Sequence, residues 1–402
     1  MPAFQPRLDY QTAGESHGPA LITTITGLPA GVELDRELID GELRRRQGGY
    51  GRGGRQKIET DTAEFLCGVR LGKTIGAPLV FKIANRDSRL DDLERTPPVH
   101  RPRPGHADLA GSVKWLTTDC RETLERASAR ETASRTAAGA IARCLLRDVF
   151  GVELFGFVRQ IHEAASPIGV TEDNWRSLIA SRDASDTYTL DEQTTEKQRA
   201  AIRQAKVEKD TVGGHVECHV FGCPPGVGSS MDWTSKLDAR IAYAVMGIQA
   251  FKAVQIGAGV RAGEVRGSEL HDPIHFDRAR MDDPCMGFTR PTNNAGGLEG
   301  GMSNGAPIIV TGTMKPISTL MRGLPSVDLN TKQAQESQYE RSDVAAVSAA
   351  SVVMENVVAF ELARLFMDKF AGDSVTETKQ NYESYLRLAR SLPLTESEAT
   401  IA

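Results

Sequence analysis

The sequence predicts an internally duplicated α/β chain, and three observations carry that prediction. A strand, a G-x-P-x-G-V turn and a helix occur twice: Gly27 to Val32 precede "ELDRELIDGELRRR", and Gly222 to Val227 follow "GHVECHVF" and precede "SKLDARIAYAVM". A second pattern, G-x3-G-x3-G-A-P, leads into a strand at Gly68, Gly72 and Gly76 and again at Gly297, Gly301 and Gly305. Each copy is followed by a long helix rich in small residues, "CRETLERASARETASRTAAGAIARCLL" and "DVAAVSAASVVMENVVAFELARLF". Two patterns in matching order predict two halves, about 10–150 and 210–372, packed around shared small-residue helices.

The totals set the class. With 402 residues, 40% hydrophobic and 25% charged, the chain has ordinary globular composition and length for a large core. A net charge of -5 gives no global pull toward nucleic acid or a membrane surface. Six cysteines without a CxxC pair or zinc-like spacing fit reduced thiols, with no disulfide and no metal expected. The N-terminus lacks a signal-like apolar segment and no run approaches a membrane span, so the expectation is a soluble cytoplasmic protein.

The first element is "TAGESHGP", residues 12–19, where an acid, a hydroxyl and the His17 imidazole sit between glycines. Gly-Pro directly afterwards rules out a helix, so this is a turn feeding the strand "ALITTIT", with side chains free for chemistry or for bonding the turn. The amphipathic helix that follows has Leu34, Leu38, Ile39 and Leu43 at helical spacing and ends in Arg44, Arg45 and Arg46. The helix dipole accounts for those three cations. It does not account for Arg52, Arg55 and Lys57 on glycine-rich backbone, which suits bidentate capture of phosphate or carboxylate. Next, "GVRLGKT" (68–74) imitates a nucleotide P-loop but has one residue too few between its glycines, and Pro78 forbids the required helix.

"RPRPGHADLAG" adds Arg101, Arg103 and His106 on a proline-stiffened loop, either a plain surface turn or a ligand-holding loop that loses little entropy on binding. The small-residue helix carries Arg126, Ser128, Arg130, Glu131 and Arg135 among alanines, and Glu131 with Arg135 makes a favourable i,i+4 pair. Residues 166–210 are polar and charged and read as a solvated excursion with one or two helices. On the strand after it, His215, Glu217 and His219 share one face by period two; with no fourth ligand in sight, they read as a polar strand face. "GAGVRAG" (257–263) has one residue too many for a dinucleotide fingerprint. "MKPIST" (314–319) offers Lys315, Ser318 and Thr319 for a phosphate tail. Asp343 opens the second small-residue helix, either as a cap or as a base held at its start. The segment 373–402 reads as a C-terminal helix and tail. Together these residues point to an enzyme acting on a small polyanion with a phosphate-bearing cofactor.

At full length the chain resembles the chorismate synthases. "AGESHG", "ERASARETASRTAAGAIA" and "RSDVAAVSAASVVMENVVA" look like that family's three signature stretches, and "RRRQGGYGRGGR", "RPRPGHAD", "GIQAFKAVQIGAG", "NNAGGLEGGMSNGAPI" and "MKPIST" match in order. The resemblance implies a lyase of aromatic biosynthesis. In its reaction 5-enolpyruvylshikimate 3-phosphate loses phosphate and a proton by anti 1,4-elimination, and reduced FMN is required without net redox change. It implies His17 and His106 as acids and Asp343 as the carboxylate that assists proton removal. Arg46 and Arg52 match the substrate or NADP contact. Arg126, Ala127, Ser128, Gln249, Ala250, Gly300, Lys315, Pro316, Ile317, Ser318, Thr319 and Arg341 match flavin-contacting positions.

The implied fold is a β-α-β sandwich with antiparallel-rich sheets in a single domain, assembled as a homotetramer. FMN is expected to arrive reduced from an external flavin reductase, with NADPH as the alternative reductant. No nucleic acid or membrane partner is implied, and His215 and His219 fall outside the family's motifs. Two rival readings remain: a flavoprotein oxidoreductase, which would oxidise NADPH steadily, and an Arg-Gly nucleic-acid binder, which would show salt-dependent binding.

Overall fold

The structure is a computed structural model that describes residues 7–53, 60–338, 340 and 342–395. Its first part runs β1 (Asp9–Ala13), β2 (Ala20–Thr26), α1 (Arg36–Gln47), β3 (Glu64–Cys67), the small hairpin β4 (Val69–Arg70) and β5 (Lys73–Thr74), and β6 (Leu79–Ala84). Then come α2 (Asp108–Trp115), α3 (Arg121–Ala127) and α4 (Thr132–Phe150). The strands pair antiparallel in the order β1-β2-β6-β3. Alternation decides which face is buried: Leu21 and Ile25 on β2 and Leu79, Phe81 and Ile83 on β6 all point into the core.

The second part opens with β7 (Glu153–Ile161), β8 (Ala164–Ala165), α5 (Trp175–Ala184), α6 (Glu192–Val207), β9 (Gly214–Phe221), α7 (Leu237–Met246) and β10 (Phe251–Ile256). Short elements follow: α8 (Gly267–Leu270), β11 (His275–Phe276), β12 (Phe288–Thr289) and the hairpin β13 (Leu298–Glu299) with β14 (Met302–Ser303). β15 (Ile308–Met314), β16 (Pro325–Val327), β17 (Ala334–Glu336), α9 (Val347–Phe370) and α10 (Val375–Arg390) complete the described chain. The larger sheet has the order β10-β15-β9-β7-β8, again antiparallel throughout.

The helices lie against both sheets. α4 packs along α9, α1 crosses both, α4 also touches β2, and α9 lies on β7, β9 and β15. α9 is buried along nearly its whole length, and the polar groups it carries inward are paired, Glu361 with Arg364 at 2.8 Å and Glu355 with Arg45 at 3.1 Å. Gly139 shows how closely the two backbones approach: a Cβ there would lie 2.1 Å from the Asn356 carbonyl oxygen.

The repeated motifs adopt matching local structure. In the first, Thr74 accepts from the Gly31 N–H at 2.8 Å, donates its own N–H to Val32 at 3.0 Å, and its hydroxyl joins Val32 N to Pro29 O at 2.9 and 2.6 Å. In the second, Ser303 accepts from the Gly226 N–H at 2.8 Å, donates to Val227 at 2.9 Å, and its hydroxyl joins Val227 N to Pro224 O at 2.9 and 2.6 Å. The strand order β1-β2-β6-β3 corresponds to β7-β9-β15-β10.

Three expectations need correction. Residues 166–210 are not simply solvated: Trp175 stacks on Phe221 at 4.8 Å beside Phe155 and Phe157, and Ile202 and Ala205 are buried. The hydroxyls that made this stretch look polar satisfy one another, with Ser185 Oγ 2.8 Å from Thr195 Oγ1 and 3.1 Å from Thr187 Oγ1. The first small-residue helix is not continuous. It breaks at Ser128, which is extended and whose hydroxyl accepts from Arg130 N at 3.2 Å, before a tight turn over 129–131 leads into α4. α9 begins at Val347, so Asp343 lies ahead of the helix and does not cap it. No described helix is long and apolar enough to cross a membrane.

Candidate active site

The break at Ser128, the glycine-rich loop after α1 and the lead into α9 converge on one cavity of about 500 Å³. Among the described residues its wall carries Arg46, Arg52, Arg89, Arg103, Arg130 and Lys315 against two carboxylates, Asp343 and Glu340. That imbalance suits a ligand with several negative charges. A groove of about 690 Å³ between β1 and α7 lacks that imbalance, because its own wall carries Asp9, Glu131 and Glu361 against Arg135, Arg240 and Arg364.

Arg46, in the last turn of α1, is buried and held by Thr132 Oγ1 and the Ala129 carbonyl, both at 2.9 Å. Burial pulls its guanidinium down to about 9 against the opposite effect of Asp61, so it stays a cation at neutral pH. Asp61 also holds Arg130 through two bonds of 2.7 and 2.8 Å. Arg52 reaches across from the glycine-rich loop to Asp343 at 2.8 Å, and Asp343 accepts the Gly53 N–H at 2.5 Å. The 166–210 segment supports this loop from beneath, where Tyr50 N donates to Asp186 O at 2.7 Å and Tyr188 OH to Arg45 O at 2.9 Å.

His17 lies in the turn between β1 and β2. Its Nδ1 lies 2.9 Å from Glu125 Oε1 and its backbone N–H donates to Glu125 Oε2 at 2.8 Å. Burial opposes charge on Glu125, but the His17 bonds and charge, with Arg121 beyond, hold its carboxyl below the usual range. Ser16 and Ser128 meet beside it, hydroxyl to hydroxyl, at 3.1 Å.

On the opposite wall, His106 Nδ1 pairs with Asp108, the fully buried first residue of α2. Asp108 also accepts from Arg103 N at 3.0 Å, Nε at 2.8 Å and Nη2 at 3.0 Å. Burial alone would raise the Asp108 carboxyl, but these bonds from His106 and Arg103 hold it well below the carboxylate range. Arg103 Nη1 then reaches Thr319 Oγ1 at 2.8 Å, and Lys315 Nζ and Ser318 Oγ both donate to the Gly105 carbonyl. Burial, with Lys252 nearby, lowers the Lys315 ammonium below its ordinary value.

The cavity therefore gathers His17, His106, Asp343, Arg46, Arg52, Ala127, Ser128, Gln249, Ala250, Lys315, Ile317, Ser318 and Thr319. Pro316 sits within the same segment without lining it. Arg126 turns away and binds the carbonyls of Thr12 and Gly14, each at 2.9 Å. Gly300 lies in the turn between β13 and β14, outside the cavity wall. Arg341, Arg55 and Lys57 fall outside the described residues. Of the strand histidines, His215 meets Thr313 at 3.0 Å and His219 meets Glu217 at 3.1 Å.

Sequence reasoning left Arg89, Ser16, Glu125 and Asp108 out of the site. Arg89 sits in an ordinary charged loop with no local signal. Glu125 and Asp108 do lie inside the motifs: Asp108 stands two residues from His106 and was legible by that spacing, whereas Glu125 is far from His17 along the chain and meets it only in the fold.

A family model described as chorismate synthase matches residues 8–367. The chain is 49% identical to a chorismate synthase of Geotalea uraniireducens over 396 residues, covering 95% of this chain and 99% of that protein. It is 48% identical to one from Thermoanaerobacter pseudethanolicus over 377 residues, covering 94% and 98%. A solved structure described as a crystal structure of chorismate synthase superposes with a TM-score of 0.78 at 35% identity, covering 96% of this chain and 99% of that one. On a match of that depth and extent, the chain belongs to the chorismate synthase family.

Proposed function

We propose that this cavity converts 5-enolpyruvylshikimate 3-phosphate into chorismate and phosphate by anti 1,4-elimination, with reduced FMN bound beside the substrate. One observation carries the reading: two histidines and a carboxylate face a single cavity whose other charges are five arginines and a lysine, set against one further acid, Glu340. The substrate brings two carboxylates and a phosphate, and the cofactor brings another phosphate.

The residues present fit a flavin. Gln249 Oε1 and Arg52 Nε are buried at the cavity without a hydrogen-bond partner among the described residues, one an acceptor and one a donor. Gln249 and Ala250, and beside them Lys315 to Thr319, joined by the Lys315 N–H to the Ala250 carbonyl at 2.9 Å, would hold it, with Lys315 and the Ser318 and Thr319 hydroxyls suited to its phosphate. Reduced FMN, when bound, supplies an electron-rich ring that assists departure of phosphate from the allylic carbon.

The chain's own groups do the rest. Arg46, Arg52 and Arg130 bind and orient the substrate's anionic groups, and fixed guanidinium charge in a partly enclosed site stabilises charge gathering on the departing phosphate. His106 holds a proton for that phosphate. His17 holds one at the opposite wall, backed by Glu125. Asp343 presents a proton-accepting oxygen, with Arg52 and Gly53 N–H fixing its direction.

The same reading makes the enzyme a cytoplasmic homotetramer supplied with reduced FMN by a separate flavin reductase, as family membership implies. It also makes the chain one domain of two pseudo-repeated halves in a β-α-β sandwich, supported by the paired Thr74 and Ser303 bonding patterns.

The test is an anaerobic assay of chorismate and phosphate release with chemically reduced FMN and no NADPH. Release of many equivalents per flavin is expected. Consumption of one reductant per turnover would replace the elimination with an oxidoreductase reaction.

A further inference from the structure

We infer that Asp108 is the positioning residue of His106, fixing which ring nitrogen faces the cavity and tying that ring to the Lys315–Thr319 segment. The inference rests on the reading of His106 as the proton donor to the departing phosphate.

The argument begins with acceptor count. An ionised carboxylate only accepts hydrogen bonds. Asp108 is fully buried, and its two oxygens receive three bonds from Arg103 and one from His106 Nδ1. His106 Nδ1 must therefore carry a hydrogen, which leaves Nε2 as the nitrogen that gains or loses a proton. The position favours a lasting negative charge, since Asp108 opens α2 at the positive end of the helix dipole.

Arg103 makes the carboxylate necessary. Its Nη2 lies 3.0 Å from His106 Nδ1 and 3.3 Å from Nε2, so a guanidinium stands beside a ring that must itself become cationic. Two cationic groups in contact need an anion beside them. Asp108 supplies the balance.

The same pairing reaches the other half of the site. Arg103 Nη1 bonds Thr319 Oγ1 at 2.8 Å, while Lys315 Nζ and Ser318 Oγ converge on the Gly105 carbonyl, one residue before His106. Asp108, Arg103 and Thr319 thus form one chain of bonds from the acid to the segment suited to a phosphate. Displacing the anion at one end would release the ring at the other.

The experiment uses the full-length protein with 15N-labelled histidine, with the His106 signals assigned by loss in His106→Asn. In the wild type the neutral ring is expected as the Nδ1–H tautomer, and observation of the Nε2–H form overturns the inference whatever the variants do. Asp108→Asn is expected to give a tautomer mixture and to lower kcat by on the order of 100-fold with little change in KM. Retention of both tautomer and rate in that variant also overturns it. If Asp108→Asn fails to fold, the wild-type tautomer decides alone. An unimpaired His106→Ala would sink the catalytic reading of His106, and this inference with it; a slow His106→Ala beside an unaffected Asp108→Asn sinks only the role of Asp108.

Discussion

Arg52 Nη1 stands 2.8 Å from Asp343 Oδ2, joining the glycine-rich loop to the lead of α9 across the cavity mouth. The other oxygen of Asp343 takes the Gly53 N–H, so both ends of the carboxylate are fixed by one loop. Asp343→Asn keeps the shape and removes the proton acceptor. It is expected to lower kcat by on the order of 100-fold while FMN affinity changes by less than about 3-fold. Stopped-flow turnover and fluorescence titration of FMN check this, and an unchanged rate would leave Asp343 as a latch only.

Lys315 is expected to carry much of the charge recognition at the phosphate end. Lys315→Ala should weaken FMN binding by roughly 10-fold, and the loss should shrink as salt is raised. Because burial lowers the Lys315 ammonium, wild-type affinity should also begin to fall on the alkaline side before an ordinary lysine would titrate. Titrations at two salt concentrations and across alkaline pH measure both effects; equal affinity in the variant removes the assignment.

Glu217 links stability to acid. Although burial opposes its charge, bonds from His219 and Arg159 bring its carboxyl down to about 2. A depressed carboxyl contributes stability that is full above the ordinary carboxylate range and fades as pH falls from about 5 toward about 2, here on the order of 3 kcal/mol. Urea unfolding at pH 6 and pH 3.5 should show the wild type losing more stability than Glu217→Gln. Parallel losses would count against the pairing.

The crossing of α4 and α9 tolerates no added volume. Gly139→Ala would set a methyl 2.1 Å from the Asn356 carbonyl, so the helices must part, at a cost of about 1–3 kcal/mol. Thermal unfolding and soluble yield report it. A variant as stable as the wild type would mean that the helices can slide past one another.

The sequence by itself determined the local elements around its glycine patterns and the residues that bring charge to the cavity. The glycine patterns specify backbone that side chains would block, so they survive as readable spacing, and the strands and helices predicted beside them are present as β2 and α1, β9 and α7, β6 and β15. The motif residues His17, His106, Arg46, Arg52 and Lys315 announced themselves as charge on glycine- or proline-shaped loops, where a packing role is hard to assign.

Tertiary structure alone decided what those loops face. Asp343 looked like a helix cap because local spacing cannot tell a first turn from an extended lead; only the approach of Gly53 and Arg52, nearly three hundred residues away in the chain, shows its partners. Arg126 sits in a signature stretch yet turns its guanidinium to the Thr12 and Gly14 carbonyls, partners more than a hundred residues away that only the fold brings to it. The 166–210 segment looked solvated because hydroxyl-rich sequence is polar in composition, whereas burial depends on whether those hydroxyls can satisfy one another once brought together, a property of contacts and not of order along the chain.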